Sequence, residues 1–265
     1  MQEFYTHSLN GHQLFQTPNL WNTYQNYNYI LSQENQAWIF DPGDYEPIMN
    51  TIEKNNLSPK VIFLTHHHQD HIGAAIQLKE KFNCTMYGFE KDQHRLPPLD
   101  KIYKDEDEVE LLGTTGKVLH LPGHTTGLCA LYIEELKLAF SNDLIFSLGC
   151  GRVFEGSYKE MYGSLKKLSS LPDDTLLACS HEYTLNNLEF GLSVFPDDQK
   201  LLSLEAEIKN KLKNQIPTVP MTLGFEKENN PFLRQNDPTI REVLDLKEAE
   251  DWQVFAKLRE MKDHS

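Results

Sequence analysis

Lys60 to Leu64 (KVIFL), an apolar run of strand length, opens directly onto Thr65 to His71 (THHHQDH), and Ile72 to Phe82 then carries apolar residues near helical spacing. Strand, ligand-rich loop and helix in that order belong to an α/β layer whose chemistry sits at a strand's C-terminal edge. His66 and His68 stand two apart, so in an extended segment both imidazoles project to one side and can share a cation, while His67 points to the other. Asp70 and His71 fall where the chain turns toward the helix, and there they can converge on a second cation. A lone histidine is ordinarily structural or exposed; four of them with an aspartate, packed directly after a strand, point to metal. His67 reads as a bystander or as a support for a ligand.

One loop cannot fill two coordination shells. The remaining ligands are expected at the ends of neighbouring strands: His124 in LPGHTTG, where Gly123 relaxes the backbone beside it, Asp143 in FSNDLIF, and His181 in LLACSHEYT. Strand termini in a sheet bordered by helices converge on one edge and can face a common cleft. His7, His12, His94, His120 and His264 lack such placement and read as structural or exposed. Asp41, in DPGD, either orients a histidine or only shapes its turn.

The rest of the chain is that of a globular protein. With 265 residues it can bury a full core, as one large domain or one domain with a smaller companion. Its formal charge of −14 disfavours nucleic acid and anionic membrane surfaces, so an anionic substrate requires a local basic patch. No apolar stretch has the length of a membrane span, and Met1 to Gly11 shows neither a basic leader nor an apolar core, so export is not expected. Cys84, Cys129, Cys150 and Cys179 form no CxxC pair and are expected reduced and buried, in a cytoplasmic protein.

Asn26 to Leu31 and Gln36 to Phe40 read as a hairpin, Glu46 to Asn55 as a helix, and Lys117 to Leu121, Leu128 to Ile133, Lys137 to Ser141 and Thr175 to Cys179 as strands. Tyr158 to Leu171 is helical. Polar helices follow at Leu185 to Phe195, Asp197 to Asn214, Pro238 to Leu246 and Ala249 to Met261. This shift in character places a boundary near residues 175 to 185, giving a catalytic domain at 1–180 and a helical domain at 181–265.

These motifs closely resemble the metallo-β-lactamase superfamily and, within it, glyoxalase II, the hydroxyacylglutathione hydrolases. THHHQDH matches the metal motif, PGHT and the Asp143 segment match later ligands, and SHEYTLNN, CGRVFEG and NPFLR match the narrower family. The resemblance implies an αββα sandwich followed by a smaller all-helical C-terminal domain that completes the substrate pocket. It implies that His66, His68 and His124 hold one metal, that Asp70, His71 and His181 hold a second, and that Asp143 bridges them. The cofactors implied are two divalent cations, zinc first, with iron or manganese possible.

By the same resemblance a hydroxide between the metals attacks S-D-lactoylglutathione, releasing D-lactate and glutathione, the second step of methylglyoxal detoxification. Arg152, Arg259 and Lys262 are implied to hold the glutathione carboxylates, with Tyr183 as a hydroxyl donor. Some family members carry Lys and Tyr where this chain has Arg152 and Phe154. Arg234 of NPFLR is expected to anchor the helical domain rather than touch substrate. A monomer acting on this small thioester, without nucleic-acid or membrane partners, is expected. The rival enzyme is a mononuclear-iron persulfide dioxygenase of the same fold; a catalytically silent metal-binding or docking protein is the alternative from another class.

Overall fold

In Asn26–Gln33 the alternate sets Tyr27, Tyr29, Leu31 and Asn26, Asn28, Ile30, Ser32 are both buried, so the sheet that holds it must be covered on two faces. In the computed structural model, which describes residues 4–265, contacts group the chain into two units. One holds residues up to His120 with Gly127–Ser141; the other holds Leu121–Thr126 with Asn142–Ser265. This division cuts the chain elsewhere than the sequence boundary at residue 180. The first three residues of Met1 to Gly11, read above for an export leader, lie outside the described residues.

In the first unit, β1 (Tyr5–Leu9), β2 (His12–Asn19), β3 (Asn26–Gln33), β4 (Gln36–Phe40), β5 (Ser58–Leu64), β6 (Thr85–Phe89) and β7 (Lys101–Tyr103) form one sheet in sequence order. Pairing is antiparallel from β1 to β4 and parallel from β4 to β7. Four short helices, α1 (Trp21–Tyr24), α2 (Tyr45–Lys54), α3 (Gln69–Ile72) and α4 (Ala75–Phe82), lie between these strands in sequence. Ile30, Ile39 and Ile62 share a core with Ile48 and Ile52 of α2 and Leu78 of α4. The alternate side chains point the other way, toward an antiparallel ladder of β8 (Glu108–Leu111), β9 (Thr114–His120), β10 (Cys129–Ile133) and β11 (Leu138–Phe140). Phe40 of β4 stacks on Phe140 of β11 with centroids 3.6 Å apart and planes at 10°. Helix, sheet and sheet therefore layer within this unit, with aromatic rings filling the space between the sheets.

The helix expected over residues 72–82 starts late, as α4 at Ala75, and Ile72 instead ends a separate turn of helix, α3. Gly73 lies against Gly43, where a Cβ would sit 2.6 Å from the Gly43 carbonyl oxygen, and α4 starts after this close approach. Strands β1, β2, β6, β7 and β8 were not expected from the sequence.

The second unit holds β12 (Ile145–Phe146), β13 (Gly149–Cys150), α5 (Tyr158–Ser169), β14 (Leu176–Ala178), α6 (Thr184–Val194), α7 (Gln199–Lys213), β15 (Met221–Thr222), α8 (Leu223–Asn229), α9 (Pro238–Val243) and α10 (Asp251–Asp263). Ser157 and Glu160 form a capping box that starts α5. Asp198 caps α7 and also receives Arg234 Nη1 at 2.6 Å, while Arg234 Nη2 meets Asp237 at 2.5 Å. Arg234 thus joins the starts of α7 and α9, the anchoring role expected of it. Glu226 is fully buried and accepts from Ser147 Oγ, the Leu148 amide and Asn230 Nδ2 at 3.1, 2.9 and 2.8 Å. No helix among the described residues is long and apolar enough to cross a membrane.

Candidate functional site

β5 ends at Leu64, and α3 begins at Gln69, so Thr65 to His68 form the loop that carries the histidines. His66 Nε2 and His68 Nδ1 face one another at 3.2 Å, while His67 turns away to Asp92, 3.1 Å from its Nδ1. Asp41 does both things open to it. Its φ of 47° turns the chain after β4. Its carboxylate also accepts from the Thr65 amide at 2.8 Å, from Thr65 Oγ1 at 2.5 Å and from His71 Nδ1 at 3.0 Å.

The Thr65 hydroxyl has one proton and gives it to Asp41, so toward His66 Nδ1, 3.1 Å away, it accepts. His66 and His71 therefore both carry their proton on Nδ1, which makes Nε2 the acceptor nitrogen of each ring. Asp41, His66 and His71 offer ligand atoms all within 4.8 Å of one another. His71 Nε2 lies 3.5 Å from Asp70 Oδ2.

The second unit builds its own cluster. Gly123 has φ +144° and leaves no room for a Cβ, which would lie 2.6 Å from Met161. The next residue, His124, donates Nδ1–H to the Arg152 carbonyl at 2.8 Å and turns Nε2 toward Asp143 Oδ2 at 3.2 Å. Asp143 Oδ1 lies 3.4 Å from His181 Nε2 and accepts from Ser180 Oγ. One buried carboxylate thus offers a different oxygen to each of two imidazoles. Tyr183 lies flat on the His181 ring, with centroids 4.6 Å apart, and Phe146 meets both rings edge-on.

In the same unit Arg259 is buried in α10, donating Nη1 to the Cys150 carbonyl at 2.8 Å and Nη2 to Asp263 at 3.0 Å. Arg152 Nε approaches the same Asp263 oxygen at 3.5 Å from an exposed side chain. Lys262 Nζ meets the Asn186 carbonyl at 3.0 Å and lies 5.0 Å from the centre of the Phe190 ring. Burial, then the neighbouring Arg259 charge, pull the Lys262 ammonium down to about 8. Phe154 is 61% exposed and sits edge-on to His124 at 5.2 Å.

The donor set fits hard or borderline divalent cations. It consists of imidazole nitrogens and carboxylate oxygens, three of the rings have Nδ1 tied to an oxygen acceptor, and the cysteines are buried free thiols. The sequence reading missed Thr65, Ser180 and Asp263. A further set, Asn26 and Asn28, was visible as an N-x-N alternation with Tyr27 and Tyr29 at the start of β3. Of the remaining histidines, His12 is buried against the Leu112 carbonyl at 2.8 Å, His7 meets Gln16 at 3.2 Å, and His120 stacks on Phe89.

Comparison with known proteins gives two family matches that divide the chain. Residues 21–181 match the metallo-beta-lactamase superfamily, and residues 182–265 match the hydroxyacylglutathione hydrolase C-terminus. The hydroxyacylglutathione hydrolase of Bartonella tribocorum is 42% identical over 224 residues, covering 84% of this chain and 88% of that protein. That of Ruegeria pomeroyi is 40% identical over 241 residues, covering 90% and 94%. The crystal structure of BLEG-1 B3 metallo-beta-lactamase is similar with a TM-score of 0.65 at 25% identity, over 83% of this chain and 99% of that one. On such a fold, these His/Asp clusters suggest a site for two divalent cations.

Proposed function

This chain belongs to the hydroxyacylglutathione hydrolase family of the metallo-β-lactamase superfamily, and from that premise we propose how its residues divide the work of thioester hydrolysis. The enzyme cleaves a hydroxyacylglutathione. S-D-lactoylglutathione is the substrate we assign, with D-lactate and glutathione as products. His66, His68 and His124 would hold one cation and Asp70, His71 and His181 the other, with Asp143 shared. The observation that carries this reading is Asp143, whose two oxygens face His124 and His181 separately.

When bound, two divalent cations, zinc in our reading, would polarise the thioester carbonyl and bring the pKa of water from about 15.7 toward about 7. The chain's own residues prepare for this. Asp41 and the Arg152 carbonyl hold the His71 and His124 rings with Nε2 outward, and Thr65 does the same for His66. Hydrolysis forms a C–O bond from water to the acyl carbon and breaks the C–S bond, releasing glutathione thiolate.

Substrate recognition falls to the cations of the second unit. Arg152, Arg259 and Lys262 would meet the glutathione carboxylates, and Tyr183 would donate its hydroxyl to the same ligand. Asp263 already engages Arg152 and Arg259, so an incoming carboxylate has to share or replace it. The domain reading is a catalytic portion at 1–180 and a substrate-binding helical portion at 181–265. Buried free thiols support a reducing, cytoplasmic setting.

Elemental analysis of the purified protein, paired with an S-D-lactoylglutathione assay before and after chelation, tests the proposal. Two metal equivalents and activity that is lost on chelation and restored by Zn²⁺ are expected. A single iron, oxygen consumption and no thioester cleavage would assign the chain to the dioxygenase alternative, which its relatives disfavour.

A further inference from the structure

We propose that Asn19 and Asn26 are positioning residues for Asp70, so that the last rung of the β2–β3 ladder sets how tightly the second cation is held. The inference rests on the assignment of Asp70 as a ligand. Asn19 and Asn26 face each other across β2 and β3, and both are fully buried. Their side-chain amides converge on one residue outside the hairpin. Asn26 Nδ2 lies 3.2 Å from the Asp70 carbonyl oxygen and 3.2 Å from Asp70 Oδ2, and Asn19 Nδ2 lies 3.3 Å from the same carbonyl.

The cost of this arrangement argues for its purpose. Asparagine is a poor strand residue. Among the described residues, Oδ1 of Asn19 and Oδ1 of Asn26 have no hydrogen-bond partner, and each such buried acceptor costs about 1–3 kcal/mol. An apolar pair would fill this rung without that penalty. What the amides supply, and apolar side chains would not, is N–H groups aimed at the Asp70 main chain and carboxylate.

Gly43 runs alongside the Asn19–Asp70 contact. A Cβ at Gly43 would lie 2.0 Å from the Asp70 carbonyl oxygen and 2.5 Å from Asn19 Nδ2. Asp70 is therefore clamped by two amides, one of which reaches it only because Gly43 has no side chain, and Asn26 hydrogen-bonds the same Oδ2 that faces His71 Nε2. Partners of this kind fix ligand orientation, and their loss typically weakens metal affinity about 10–100-fold.

The test is a Zn²⁺ titration of the full-length apoprotein against a competing chromophoric chelator, with circular dichroism of each variant as a control for folding. In Asn26→Ala the Zn²⁺ dissociation constant of the cation that Asp70→Ala loses should rise about 10–100-fold while the other stays put. Asn19→Ala, which removes one donor from the same carbonyl, should give a smaller rise in the same constant; it decides the matter if Asn26→Ala does not fold. Asp70→Ala, run in parallel, should bind one equivalent. If Asp70→Ala loses a cation while the asparagine variants keep both constants unchanged, the clamp is overturned and the ligand assignment stands. If Asp70→Ala keeps two, the ligand assignment falls and the clamp with it.

Discussion

The carbonyl oxygen of Arg152 accepts the Nδ1 proton of His124 at 2.8 Å. One residue thus orients a ring assigned to metal through its backbone, while its side chain is assigned to substrate. Arg152→Ala keeps the carbonyl and removes the guanidinium. It should raise KM for S-D-lactoylglutathione roughly 10-fold, about 1.4 kcal/mol, and leave zinc content unchanged. Steady-state kinetics and elemental analysis read the two effects separately, and a fall in zinc would contradict this division of labour.

His68→Ala removes a nitrogen that faces His66 Nε2 at 3.2 Å. The variant should lose thioester hydrolysis by at least about 100-fold and bind less than the full complement of metal. Full activity in a properly folded His68→Ala protein would refute the assignment of the first cation.

Arg259→Ala combined with Lys262→Ala should act mainly on KM, because neither side chain contacts the His/Asp cluster of its own unit. Arg259 also holds the Cys150 carbonyl and Asp263, so the thermal midpoint should fall too. An unchanged KM would remove both residues from the glutathione site.

Glu226 supplies a prediction about pH. Burial pushes its carboxyl up to about 7 from an ordinary 4.5, against three hydrogen bonds that favour the charged form. Between those values the folded protein keeps a proton that the unfolded chain has released. This stabilisation is complete below about 4.5 and is lost as pH rises through about 7. Across the window it amounts to a few kcal/mol, on the order of 3. Glu226→Gln should flatten that part of the stability curve, measured by urea unfolding at several pH values; an identical slope in both proteins would show that Glu226 does not titrate there.

Much of the architecture was legible because its periodicities are strong. The hairpin of β3 and β4, the strand before THHHQDH, and helices α2, α5, α6, α7 and α10 all follow from runs of apolar residues at spacing 2 or near 3.6. β2 was missed because its buried residues include Gln16, Thr17 and Asn19, which read as loop. β7 and β8 have only three and four residues, too few to establish a pattern. The split between α3 and α4 depends on contact with Gly43, thirty positions before Gly73, which no local window contains.

Within the site, the separated His124, Asp143 and His181 were found by their shared position after strands, and they lie together in the second unit. Asp263 was not found, because an acid in the last turn of a helix opposes the dipole and reads as surface decoration. Its meaning comes from Arg152 and Arg259, which only folding brings to it.

The hydroxyl of Thr65 has a consequence for turnover. With its single hydrogen committed to Asp41, the row from His66 through Thr65 and Asp41 to His71 has its hydrogens pointing inward from both ends. Such a row is not a wire: nothing entering at one imidazole can leave by the other without turning the hydroxyl around and stripping Asp41 of a donor. In the proposed mechanism the rings at its ends would serve as fixed electron-pair donors, and the hydrogen lost by the attacking water would exit by another route.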